Sequence, residues 1–191
     1  MHELWIARQP APPVETLAQL EATGLTRDLA TLLAHRGVTT AAEAAAFLAP
    51  GLDSLHDPLL LKGMTEALDL LVAAHGRGER VAVIGDYDVD GITATALLLG
   101  VFQAVGIAAH GILPNRHAGG YGPQPQHMQQ AEELGCRLVV TADCGIRAYE
   151  ALAEARRRGL PVIVTDHHLP GEQRLDAAAV VNPRQAGCSY P

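Results

Sequence analysis

Val81-Ala82-Val83-Ile84-Gly85-Asp86-Tyr87-Asp88-Val89-Asp90-Gly91 decides how the rest of the chain is read. Val81 to Ile84 is an aliphatic run with no polar face, which suits a strand buried on both sides, as in a parallel sheet covered by helices. Gly85 ends the run, and three aspartates follow at alternate positions. Ile92 to Val105 then reads as a helix stopped by Gly106. A strand, an acidic turn and a helix in that order make a βα unit, with the acidic residues at the C-terminal end of the strand.

The same alternation continues downstream. Ile107 to Leu113 reads as a strand, Gln124 to Leu134 as a helix, Leu138 to Thr141 as a strand and Ile146 to Arg158 as a helix capped by Gly159. Pro161 to Thr165 is a further strand, and Ala178 to Val181 a fifth. Strands alternating with helices imply right-handed parallel crossovers, so the expected fold is α/β, a doubly wound and mostly parallel sheet. Upstream, residues 1–79 read as an N-terminal helical appendage. Leu29, Leu32 and Leu33, then Phe47 and Leu48, recur at helical spacing; Gly37 is placed to end one helix, and Thr39 or Thr40 to start the next. Met64, Leu68, Leu71 and Val72 mark another helix ending near Gly76 and Gly78. No site chemistry is visible there, so the domains expected are a helical region, 1–79, and a catalytic domain, 80–191.

The 191 residues are enough for one sizeable core and a small appendage; they are 48% apolar but only 4% aromatic, so that core must be aliphatic. A formal net charge of -7 argues against a chain that coats nucleic acid with a general basic surface. It does not argue against a nuclease, because a metal site concentrates carboxylates and bound cations reverse the local sign. Cys136, Cys144 and Cys188 form no C-x-x-C pair, which disfavours a disulfide framework or a zinc site. No apolar run is long enough to span a membrane, and Met1 to Trp5 lacks the features of a secretory signal. A cytoplasmic protein with no membrane partner is the expectation.

Ligands of an open parallel sheet bind beyond the C-terminal ends of its strands, and each polar cluster falls at such an end. Asp86, Asp88 and Asp90 follow the first strand, Asn115-Arg116 the second, Asp143-Cys144-Gly145 the third and Asp166-His167-His168 the fourth. Crowded carboxylates are costly without cations, and oxygen ligands with one or two imidazoles suit magnesium or manganese better than zinc. Two such ions would supply a nucleophile from water and offset charge on a transferring phosphoryl group, so phosphate ester hydrolysis is the indicated reaction. Arg116 could bind a phosphate through its planar guanidinium.

Other readings of the same residues compete. Asp86-x-Asp88-x-Asp90-Gly91 matches the opening of a calcium-binding EF-hand loop, but that loop needs a glutamate at its twelfth position, here Leu97, and a preceding helix. A strand ending in D-x-D also begins haloacid-dehalogenase-type phosphatases, which do not need a later Asp-His-His. Asp143 could merely cap a helix, and the Gly119-Gly120-Tyr121-Gly122 segment could be a flexible loop.

Ile84 to Ala94 resembles the first motif of the RecJ family, with Val89 where alanine is common. Pro114-Asn115-Arg116 through Gly120-Tyr121-Gly122 resembles the second conserved segment, Thr141 to Gly145 the third, and Thr165-Asp166-His167-His168 the motif that names the DHH phosphoesterase superfamily. Asn182-Pro183 with Ser189-Tyr190-Pro191 resembles what comes next, and Leu32 to Val38, Phe47-Leu48 and Leu55 to Pro58 the family's N-terminal region. The resemblance implies a 5′-to-3′ exonuclease on single-stranded DNA in recombination and repair, with single-stranded DNA and replication or repair proteins as partners. It implies Asp88, Asp90, Asp143 and His167 as Mn2+ or Mg2+ ligands in a two-metal site, with Asp143 bridging. Asp86 and Asp166 would support the site, His168 would contact the scissile phosphate, Arg116 would bind phosphate and Tyr121 would stack on a base. Beyond Pro191 it implies a further aspartate ligand and a second domain, so the chain is expected to be an N-terminal portion. The rival readings are a DHH phosphodiesterase of short oligonucleotides or cyclic dinucleotides, and a non-catalytic relative that binds DNA or replication proteins.

Overall fold

The computed structural model describes residues 10–115 and 122–191. Among these, the residues up to Leu55 form one compact unit and His56–Pro191 another. In the first, α1 (Val14–Glu21), α2 (Arg27–Ala34) and α3 (Ala41–Leu48) bury Leu17, Leu20, Ala30, Leu33 and Ala44. The punctuation expected from sequence is present. Gly37 has φ 83° just past α2, and Thr40 caps α3 in a reciprocal box with Glu43.

The second unit is built on a five-stranded, wholly parallel sheet in the order β2-β1-β3-β4-β5. The strands are β1 (Arg80–Ile84), β2 (Ala109–Ile112), β3 (Cys136–Ala142), β4 (Val162–Thr165) and β5 (Ala179–Val181). The helices are α4 (Met64–Gly76), α5 (Val89–Ala104), α6 (Pro125–Glu133) and α7 (Tyr149–Arg157). The alternation of side chains along each strand sorts the core into two layers. Ala82, Ile84, Val139, Val162 and Val164 pack with Met128 of α6 and Leu152 of α7. Val81, Val83, Leu138, Val140 and Ile163 pack with Ala67 of α4 and Phe102 of α5. The doubly wound fold is therefore as expected, with helices on both faces.

Three boundaries differ from the sequence reading. α5 begins at Val89, inside the acidic motif, because Asp88 caps it through a hydrogen bond from Gly91 N to Oδ1 (3.0 Å). α7 begins only at Tyr149, because the Ile146 N–H is taken by Asp166 Oδ2 (2.9 Å), which holds residues 145–148 as a turn. Residues 56–79 group with the sheet because α4 lies against β1 and β5. The segment before α4 is tied to the turn after β5: Lys62 Nζ donates to Ala186 O (2.7 Å) and Gln185 Nε2 to Lys62 O (2.8 Å). Among the described residues, no helix is long and apolar enough to cross a membrane.

Candidate metal centre

The winding direction reverses between β1 and β3, and the crevice at such a switch point is where an open α/β sheet binds ligands. The acidic residues gather there: Asp86, Asp88 and Asp90 leave β1, Asp143 leaves the adjacent β3, and Asp166, His167 and His168 leave β4 beside it.

Each is held by its local backbone. Asp86 is fully buried; Oδ1 accepts Tyr87 N (2.8 Å), while Oδ2 has no hydrogen-bond partner among the described residues. α5 comes so close that a Cβ on Gly91 would stand 2.4 Å from Asp86 N, so only glycine lets the helix start there. Asp88 is spent partly on its cap, and Asp90 sits in the first turn of α5. Asp143 has φ 62°, the left-handed region that aspartate tolerates better than most residues, and its N–H donates to Thr165 O (3.1 Å). The cap of α7 is Ala148, so capping does not explain Asp143.

Asp166 organises the histidines. Oδ1 accepts His167 N (2.7 Å), His168 N (3.0 Å) and His168 Nδ1 (2.7 Å), while Oδ2 accepts Ile146 N. His167 Nε2 lies 2.9 Å from Asp143 Oδ1, and the two imidazole rings lie 4.6 Å apart. Both histidine side chains are about half exposed, at 56% and 45%, so the imidazoles face solvent from a buried acidic base.

Burial pushes the Asp143 carboxyl above the ordinary carboxylate range; Asp88 and Asp166 push the same way, against the pull of His167 and His168. A buried carboxylate crowded by others, and a fully buried Asp86 oxygen with no partner among the described residues, both call for positive charge at this point. The donor set fits a hard divalent cation. Asp143, His167 and His168 each offer one ligand atom within 4.8 Å of the others. The 2.9 Å between His167 Nε2 and Asp143 Oδ1 is also the spacing of neighbouring ligands around an octahedral ion, about 3 Å for bonds of roughly 2.1 Å. Asp88 and Asp90 stand outside that tight set, on the β1 side.

Of the expected site residues, seven (Asp86, Asp88, Asp90, Asp143, Asp166, His167 and His168) are thus placed at the C-terminal ends of three neighbouring strands; Arg116 and Tyr121 lie outside the described residues. Cys144 is buried, its Sγ against Ala142 O (3.3 Å) and Ile84 O (3.5 Å), and burial drives its thiol far up, so it is an inert filler. Beside the histidines opens a cavity of about 810 Å³ lined by residues 122–124 and 145–151, the Asp166–Leu169 segment and Arg184. Sequence reasoning named Asn182 within a resembling segment but gave it no role; it is fully buried and donates from Nδ2 to His168 O (2.9 Å). The signal available was an asparagine directly after a buried strand.

Residues 80–190 match the DHH family, N-terminal domain. The chain is 39% identical over 187 residues to the single-stranded-DNA-specific exonuclease RecJ of Bacillus subtilis, covering 97% of this chain and 23% of that protein. A crystal structure of exonuclease RecJ bound to manganese superposes with TM-score 0.64 and 39% identity over 70% of this chain and 34% of that one. RecJ from Thermus thermophilus is also similar. Its complex with Mn2+ gives TM-score 0.71 at 32% identity over 94% of this chain and 25% of that one; its complex with Mg2+ gives 0.52 at 30% over 83% and 19%. The chain spans about a quarter of the length of the curated relatives it matches.

Proposed function

The chain belongs to the DHH family, and on that footing we propose that it carries metal ligands of a RecJ-type exonuclease that hydrolyses single-stranded DNA from its 5′ end in recombination and repair. The observation that carries this reading is the meeting of Asp143, after β3, and His167, after β4, at 2.9 Å beside the acidic end of β1, in a chain similar to RecJ structures that hold Mn2+ or Mg2+.

Asp88, Asp90, Asp143 and His167 would hold Mn2+ or Mg2+ in this proposal. Such cations would supply a nucleophile from water and offset charge on the transferring phosphoryl group. Asp166 fixes which edge of the His168 ring is presented: with Nδ1–H given to Asp166, Nε2 faces the scissile phosphate, and protonated it donates to a phosphate oxygen. Asp86 braces the start of α5 from below. Arg116 takes a phosphate bidentately, and Tyr121 stacks on a base. The chemistry belongs to residues 80–191, in the cytoplasm, and replication or repair proteins are the partner class that such a role would bring.

The test is digestion of 5′-phosphorylated single-stranded DNA, labelled at either end, alongside linear and cyclic dinucleotides, with Mn2+. Early mononucleotide release from the 5′ label, with duplex DNA spared, is the expected result. Preference for the dinucleotides would replace this reading with that of a small-substrate phosphodiesterase. DNA binding without hydrolysis would replace it with that of a non-catalytic relative.

A further inference from the structure

We propose that Asn182 is a positioning residue for His168, an inference that rests on the function proposed above. Asn182 follows β5, whose last rung is closed by Asp166 N donating to Val181 O (3.1 Å). The β4–β5 pairing ends at Thr165 and Val181, and the segment 166–168 has left β4. The Asn182 amide takes over. Its Nδ2 donates to His168 O (2.9 Å), and its Oδ1 accepts Arg184 N (2.7 Å). Both partners are backbone groups of fixed polarity, so the orientation of the amide is not open to a flip. The side chain is fully buried, which makes each of its hydrogen bonds costly to lose.

The consequence for His168 is geometric. Asp166 Oδ1 holds the residue at its N–H and at ring Nδ1, two points on one side. Those two bonds still allow the residue to swing about the line joining them. Asn182 fixes the carbonyl on the other side, so amide, carbonyl and ring are each anchored. A residue that must present one ring edge to a phosphate within a few tenths of an ångström needs such support. Asn182 also ties this to the wall of the neighbouring cavity, since Arg184, whose N–H it holds, lines the same space as His168.

The test uses Asn182→Leu, close in volume and without polar atoms. Asn182→Asp serves as the second variant should the first fail to fold, because it keeps the acceptor for Arg184 N–H while an ionised carboxylate turns an oxygen towards His168 O. Two readouts are taken on the whole protein: 15N and 1H shifts of the histidine rings without metal, and steady-state cleavage with Mn2+ in parent and His168→Ala backgrounds. The ring signals of His168 should move while those of His75, in the last turn of α4 at the opposite end of the strands, stay. In cleavage, kcat should fall on the order of 30-fold with KM changed less than about threefold, and the same substitution should cost less than about twofold in the His168→Ala background, as acting through one residue requires. Unmoved His168 ring signals, or an equal loss of kcat in both backgrounds, would overturn the proposal. A parent protein that cleaves no phosphodiester would refute the proposed function instead, and the ring signals would still decide the role of Asn182.

Discussion

Asp143 concentrates the logic of the site in one residue. Its backbone lies in the left-handed region at φ 62°, and its carboxyl is pushed up by burial. Both features cost stability and both serve the placement of one carboxylate between β1 and β4. The two costs separate by substitution. Asp143→Gly relieves the backbone, so in metal-free buffer it should be at least as stable as the parent. Asp143→Ala should be less stable than Asp143→Gly by about 1 kcal/mol, the penalty for Cβ in that conformation. Denaturant melts of the two variants check this. The sign of the pH dependence follows as well. A carboxyl whose value is raised by folding favours the folded state below the ordinary 3.8 and loses that contribution as pH rises through the raised value, so without metal Asp143→Asn should be the more stable form at neutral pH.

At the scale of elements, the acidic turn and α5 are one rigid piece. Gly91 is in the first turn of the helix and touches the backbone of Asp86. Gly91→Ala should therefore overpack this contact and cost about 1–3 kcal/mol by thermal or denaturant unfolding, whereas an alanine at the spacious Gly100 of the same helix should not destabilise. α6 carries a second device. His127 is buried, burial holds its imidazole below the ordinary 6.5, and its Nδ1 accepts Gln124 N (3.0 Å), which only the neutral ring can do. A histidine lowered by folding supports the fold above pH 6.5 and withdraws that support as pH falls towards its lower folded value. Unfolding followed from pH 7.5 to pH 5 should show a decline, at most about 1.4 kcal/mol per pH unit, that His127→Gln flattens. Such details explain what sequence can and cannot disclose. The aliphatic runs of β1, β3 and β4 are period-independent signals of doubly buried strands, and the polar clusters after them are legible because parallel topology fixes where they go. The true starts of α5 and α7 are not legible: each depends on a side chain competing for a backbone N–H, Asp88 for Gly91 and Asp166 for Ile146, and Asp166 is twenty residues away in sequence. Asn182-Pro183 is visible as a segment, but the role of Asn182 is not, since its partner is the carbonyl of His168, fourteen residues away.

For the whole molecule, the net charge of -7 and the acidic strand ends fit the function proposed above, in which cations would complete the acidic edge of the sheet. Adding Mn2+ at about 100 times its Kd should stabilise the folded chain by about 2.7 kcal/mol, visible as a rise in Tm that EDTA reverses. Among the described residues, every candidate ligand belongs to the unit His56–Pro191, in keeping with the absence of site chemistry from the sequence before it. The most direct measurement of the central claim is the rate of mononucleotide release from 5′-phosphorylated single-stranded DNA as Mn2+ is varied, for the parent and for Asp143→Asn. The account predicts saturable, Mn2+-dependent release in the parent and a loss of at least about a hundredfold in the variant at every Mn2+ concentration. Equal release by both proteins, or release that persists undiminished in EDTA, would contradict it.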